Sequence, residues 1–212
     1  MQISINANRC EPSPMRKFHP LAVAAKKEVK KIYHLNIGQP DLPTPEAFYQ
    51  AVHDFADRTL EYEASPGRPI MIDAVKNYYG KLGVELEDRD ILITTGGSEA
   101  LLFTCLSILD PYTEVIIPEP YYPNYTTFVH AAGGVIRALP TNPWEGYRYA
   151  DRKRIESLIT PNTRAIMITN PGNPTGVVLD KEEMRMIADI AKKHDLFLIC
   201  DEVYREFCYD DK

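Results

Sequence analysis

Four short segments of this 212-residue sequence carry residue types that could do chemistry. The first is Thr94-Thr95-Gly96-Gly97-Ser98-Glu99-Ala100. Two glycines let the backbone turn sharply and come close to a ligand. Ser98 is placed to cap a helix and to offer its hydroxyl. A helix that starts here presents unpaired N–H groups and the positive end of its dipole, a cradle for phosphate. Alone the signal is weak, because Gly-Gly-Ser ahead of a helix is also an ordinary capped turn. The second is Pro118-Glu119-Pro120-Tyr121-Tyr122-Pro123-Asn124-Tyr125. Aromatics at the mouth of a sheet can stack on a flat ring. Taken alone, this segment reads as a Pro-rich loop whose tyrosines pack locally. The third is Asn170-Pro171-Gly172-Asn173-Pro174-Thr175-Gly176. Two Asn-Pro steps this close make a tight turn, and either bond can be cis. Asn173 can then be held as a fixed amide donor. A plain structural turn explains so particular a loop less well. The fourth is Cys200-Asp201-Glu202-Val203-Tyr204, where an acid ends an apolar run. Such an acid is costly unless a cation or donors meet it. The bland reading is a strand-end helix cap, and the functional one asks for a cationic partner in a pocket.

Bulk properties exclude several classes. The formal net charge is −6, against a general nucleic-acid binder, which shows a basic face. An anionic small ligand stays open, since backbone N–H groups bind phosphate without net positive charge. Neither G-x-G-x-x-G nor a Walker loop is present, so nicotinamide and nucleotide-triphosphate readings lack their fingerprints. The four cysteines (Cys10, Cys105, Cys200, Cys208) form no C-x-x-C pair and are expected to be reduced, mostly buried thiols of a cytoplasmic protein. The histidines show no metal-ligand spacing, so no metal is expected. The longest apolar run, residues 100–109, is too short to span a bilayer, and the polar opening gives no expectation of a secretory leader.

The elements that must position the four segments follow from the pattern. Short apolar runs at 90–94, 114–118, 135–139, 165–169 and 196–201 read as strands. Helical stretches at 99–109, near 125–132 and at 181–194 lie between them. Strands apolar on both faces that alternate with helices predict an α/β fold with a mostly parallel sheet covered on both sides. Ligands bind beyond the carboxyl ends of such strands, where the four segments fall. Ahead of this pattern, Pro12, Pro14 and Pro20 break the start and residues 21–32 read as a lysine-rich, solvated helix. Residues 36–45 read as a loop, Thr44-Pro45 as a helix start, and a helix is expected near 70–79.

With these segments in view, the chain resembles the fold-type I, class I/II pyridoxal-phosphate-dependent aminotransferases, the relatives of aspartate aminotransferase. The resemblance runs from about residue 36 onward. It rests on N-I-G-Q-P-D at 36–41, Tyr62 with Gly67, T-G-G-S-E-A, P-E-P-Y-Y, N-P-G-N-P-T-G and D-E-V-Y-R-E-F, in matching order and spacing. The wording is most like bacterial sequences of the aspartate-aminotransferase type. The resemblance implies a three-layer αβα large domain. Residues 1–45 are then an N-terminal arm and part of a small domain, and 46–212 part of the large cofactor-binding domain. It implies pyridoxal 5′-phosphate as cofactor. Gly96, Gly97 and Ser98 match the phosphate loop, and Tyr122 matches the aromatic stacked on the pyridine ring. Asn173 and Tyr204 match the pair on the cofactor's phenolic oxygen, and Asp201 matches the carboxylate on the pyridine nitrogen. Gly38 matches the loop near the substrate carboxylate. Tyr62 matches a tyrosine that reaches the site of the neighbouring subunit, which implies a homodimer. The substrates that the resemblance implies are an amino acid, aspartate or similar, and a 2-oxo acid.

Two departures stand out. Tyr112, in Asp110-Pro111-Tyr112, occupies a position that is usually glycine in the family, a change expected to alter a local turn. No lysine lies in the context of the family's Schiff-base lysine, which is expected beyond Lys212, as is the arginine that grips the substrate carboxylate. The chain is therefore expected to be a truncated, N-terminal fragment, inactive by itself. Other fold-type I activities share the cofactor residues, among them carbon–sulfur lyases and cyclopropane-carboxylate synthases. A third reading is a non-catalytic ligand-binding domain of aminotransferase type.

Overall fold

The computed structural model describes residues 1–10, 14–36 and 38–209. Pro12, Ile37 and Lys212 lie outside the described residues. The chain divides into two compact units, one of Met1–Ser13 with Thr95–Lys212 and one of Pro14–Thr94.

The first unit is built on a parallel sheet. Its strands are β1 (Glu114–Glu119), β2 (Val135–Pro140), β3 (Thr163–Thr169) and β4 (Phe197–Asp201), in the order β2-β1-β3-β4. All three pairings are parallel. Period-2 alternation sends side chains of the two central strands into two separate cores. Ile116, Ile166 and Ile168 pack with Ile187, Ile190 and Ala191 of α8 (Lys181–Lys193) and with Ile155 of α7 (Arg152–Ser157). Val115, Ile117, Ala165 and Met167 pack with Cys105 of α5 (Gly97–Ile108) and with Tyr125 and Val129 of α6 (Asn124–Ala131). These are the three layers expected from sequence. The short α7, capped by the Asp151 side chain on Arg154 N–H, and the N-terminal α1 (Ile5–Asn8) carry too few apolar residues to be read in advance. The α1 segment docks on α6, where Asn6 Nδ2 donates to the Ala131 carbonyl at 3.3 Å.

The expectation of mostly buried thiols holds for Cys105, which is 1% exposed, and fails for Cys200 and Cys208, which are exposed, while Cys10 is half-buried. For Cys200 the reason is position: it lies near the carboxyl end of β4, an edge of the described sheet with no strand on its outer side. All four cysteines are free.

The second unit holds α2 (His19–Lys27), α3 (Glu46–His53) and α4 (Pro69–Lys81). Helix α2 ends before residue 32, earlier than its lysine-rich pattern suggests. Val29 adopts a left-handed φ of 62°, Val29 N–H donates to the Lys26 carbonyl and Lys30 N–H to that of Ala25, which closes the helix in a Schellman turn. Helix α3 begins at Glu46 with Pro45 as its extended cap residue, one position later than expected. Residues 91–94 form no strand. A strand needs a ladder, and here Ile93 N–H instead donates to the Pro66 carbonyl in a turn, at 2.8 Å. Gly67, next to Pro66, has a φ of 115°, and a Cβ there would lie 2.5 Å from Ile93 Cβ.

Candidate active site

The loops that leave the carboxyl ends of β1, β3 and β4 and the start of α5 meet in a cleft of about 400 Å³. Six of the residues singled out from sequence line it: Gly97, Ser98, Tyr122, Asn173, Asp201 and Tyr204. Gly96 sits beside it as the N-cap of α5, with a φ of 106° that glycine adopts readily. The cap is thus Gly96, and Ser98 lies inside the first turn, a correction to the expectation that Ser98 caps the helix. Nothing lies within 4 Å of a Cβ built on Gly96 or Gly97, so the space above the helix start is open. Glu99 turns back to accept the Thr95 N–H at 2.6 Å, which fastens the turn and leaves the N–H groups of Gly97 and Ser98 ahead of the helix's own ladder.

The Pro-rich loop after β1 does what the bland reading asked: its tyrosines pack on one another. Tyr122 meets Tyr125 edge to face with ring centres 5.5 Å apart, and its hydroxyl accepts from Asn124 Nδ2 at 2.7 Å. The same packing fixes Tyr122 in the wall of the cleft. In the loop after β3 both Asn-Pro bonds are cis, as is Glu119–Pro120. Gly172 N–H donates to the Val177 carbonyl at 2.8 Å, and Asn170 Oδ1 accepts from Leu179 N–H at 2.9 Å. The loop so closed aims Asn173 Nδ2 at the Tyr204 hydroxyl, 3.3 Å away.

Asp201 ends β4. Its Oδ1 accepts the Val203 N–H at 3.1 Å and its Oδ2 accepts from the Tyr125 hydroxyl at 2.7 Å. Tyr125 and its second partner Thr169, whose Oγ1 lies 2.6 Å from the phenol oxygen, were not singled out from sequence. No local pattern could mark a bond between residues 76 positions apart. Burial pushes the Tyr125 phenol well above the ordinary tyrosine range, with the Thr169 hydroxyl opposing and Asp201 adding to the rise.

Gly38 and Tyr62 belong to the Pro14–Thr94 unit, and Tyr62 is fully exposed. Among the described residues no lysine lines the cleft, and no helix is long and apolar enough to cross a membrane.

The arrangement fits pyridoxal 5′-phosphate. Its volume lies within the range of small-ligand pockets. One end is a helix start open to an anion, the other a carboxylate suited to a protonated ring nitrogen, with an aromatic side and an amide–phenol pair between.

Comparison with known proteins agrees with this reading. The chain is 31% identical to the aspartate/prephenate aminotransferase of Thermus thermophilus over 98% of its own length and 54% of that protein. It is 34% identical to aromatic-amino-acid aminotransferase 2 of Thermococcus litoralis, over 99% of its length and 54% of the relative. Among solved structures, the aspartate aminotransferase of Rhizobium meliloti superposes with a TM-score of 0.93 at 29% identity, covering 100% of this chain and 54% of that one. The chain thus spans about half the length of the curated relatives it matches. The family described as aminotransferase class I and II matches residues 30–212, and to that family the chain belongs.

Proposed function

We propose that this chain supplies the cofactor-holding surface of a pyridoxal-phosphate-dependent aminotransferase, which moves an amino group between an amino acid and a 2-oxo acid. One observation carries the reading: a helix start, an aromatic wall, an amide–phenol pair and a carboxylate converge on a single cleft. When bound, the cofactor supplies a cationic ring that accepts electrons from the substrate's α-carbon. The chain's own residues bind and orient it. The first-turn N–H groups of α5 and the Ser98 hydroxyl hold the phosphate, with Gly96 and Gly97 giving it room. Tyr122 bears on the ring face. Asn173 and Tyr204, already bonded to each other, address the ring oxygen. Asp201 keeps a proton on the ring nitrogen, and that cation in turn offsets the carboxylate's desolvation.

The remaining roles rest on the family resemblance. Gly38 lies near the substrate carboxylate, and Tyr62 reaches the site of a second subunit in a homodimer; its full exposure leaves it free to do so. Residues 46–212 then form part of the large domain. Relatives act on aspartate, prephenate or aromatic amino acids by their names, and aspartate or a similar acid is our reading of the amino donor. Free thiols agree with a cytoplasmic protein.

The test is equilibrium binding of pyridoxamine 5′-phosphate, which has no aldehyde to react with surface lysines. The chain should bind it saturably. Asp201→Ala should weaken binding about ten- to a hundredfold, the worth of a hydrogen bond to a charged group. No saturable binding, or equal binding by Asp201→Ala, would overturn the reading.

A further inference from the structure

Tyr125 is 1% exposed, and its hydroxyl joins the ends of two strands at the floor of the cleft. It lies 2.7 Å from Asp201 Oδ2, at the end of β4, and 2.6 Å from Thr169 Oγ1, at the end of β3. The donor inventory fixes the direction of this chain. An ionised carboxylate only accepts, so the phenol donates to Asp201. The phenol oxygen is then an acceptor, and the Thr169 hydroxyl donates to it. Edge contact from Tyr122 and the stacked ring of Tyr121, 6.3 Å away, hold the Tyr125 ring in place. With Val203 N–H on Oδ1, both carboxylate oxygens carry a fixed donor and the rotamer of Asp201 is set before any ligand arrives.

We propose that Tyr125 is a positioning residue for Asp201: by donating to Oδ2 it orients the carboxylate and weakens its claim on the proton shared with the ring nitrogen, so that the proton stays on the ring. This deepens the proposed function and rests on it. The proton balance is simple. One proton lies between a ring nitrogen and a carboxylate, and a donor already on the carboxylate lowers its share. Without the phenol, the carboxylate is the stronger base and draws the proton from nitrogen toward oxygen.

The test uses the full 212-residue chain and pyridoxamine 5′-phosphate labelled with ¹⁵N in the ring. In the unaltered chain the bound ¹⁵N signal should sit at the protonated-pyridine position. In Tyr125→Phe it should move toward the neutral position, with affinity down about tenfold. Thr169→Val removes the donor behind Tyr125 and should move the signal the same way by less, so the proposal stays testable if Tyr125→Phe does not fold. Packing alone would lower affinity with the ¹⁵N signal unmoved, and that result in whichever variant folds overturns the proposal. If the unaltered chain binds no pyridoxamine phosphate, the cofactor reading fails and this inference with it. If it binds and Tyr125→Phe behaves identically, this inference alone fails.

Discussion

Replacing Tyr112 by glycine should stabilise the protein. Asp110, Pro111, Tyr112 and Thr113 form a turn closed by the Thr113 N–H on the Asp110 carbonyl at 3.1 Å. Tyr112 is its third residue and has a φ of 70°. Proline second and a positive φ third are the marks of a type II turn, whose third position favours glycine. An L-residue held in the left-handed region costs about 1–2 kcal/mol. Glycine removes that cost and gives back about 0.5–1 kcal/mol through the greater freedom of the unfolded chain. The Tyr112 side chain is 77% exposed, so little packing is lost. The net gain is about 0.5–1 kcal/mol. With a urea slope of about 2 kcal/mol/M, the midpoint should rise by about 0.3–0.5 M with the slope unchanged. Tyr112→Ala separates backbone from side chain, because it removes the ring and keeps the Cβ. It should show no gain. Equal stabilisation by alanine and glycine would refute the backbone argument, and so would a loss with glycine.

Four other outcomes follow from features already described. Gly67→Ala places a Cβ against Ile93 at a φ that side chains rarely adopt, and should cost about 2–4 kcal/mol in urea unfolding; a loss under about 0.5 kcal/mol would contradict the packing described. Burial pushes the Cys105 thiol up to about 11, so a thiol reagent should label Cys208 quickly, Cys200 more slowly because burial and the Glu202 charge raise its thiol as well, and Cys105 only on unfolding. Because the folded thiol holds its proton above the unfolded value, its contribution to stability is complete below about pH 9 and is lost as pH rises through about 11; stability that climbs over this interval would reverse the sign. Finally, no lysine lines the cleft among the described residues, so the chain mixed with pyridoxal phosphate, an amino acid and 2-oxoglutarate should turn over no faster than free cofactor does; faster turnover would remove that expectation.

The sequence was most legible where burial imposes a period. β1 and β3 are buried on both faces, and their unbroken apolar runs mark them within two residues. α8 carries an Asp180–Glu183 capping box and a clean apolar stripe, and its limits fall within one residue of those read. Legibility failed where the deciding partner is remote or unusual. The stretch 91–94 has the composition of a strand and forms no ladder. Val29 ends α2 in a conformation that β-branched residues avoid, so composition pointed past it. At the site, the segments that line the cleft were legible because glycine, proline and acid cluster at strand ends. Tyr125 was not, since it sits on helix α6 and its importance lies in a bond to Asp201 at the end of a distant strand.

The order of the sheet also bears on how it can be made. β1 and β2 are adjacent in sequence and in space, with only α6 between them. β3 then joins the free side of β1, and β4 the free side of β3. Each strand that leaves the ribosome therefore finds an open edge already waiting and inserts between no two strands that have paired. Assembly can keep pace with translation, one βα unit at a time, and each helix can settle on its face of the sheet before the next strand appears. Of the segments that line the cleft, the start of α5 emerges first and the loop after β4 last. These lining segments thus come together only after β1, β3 and β4 have been laid down.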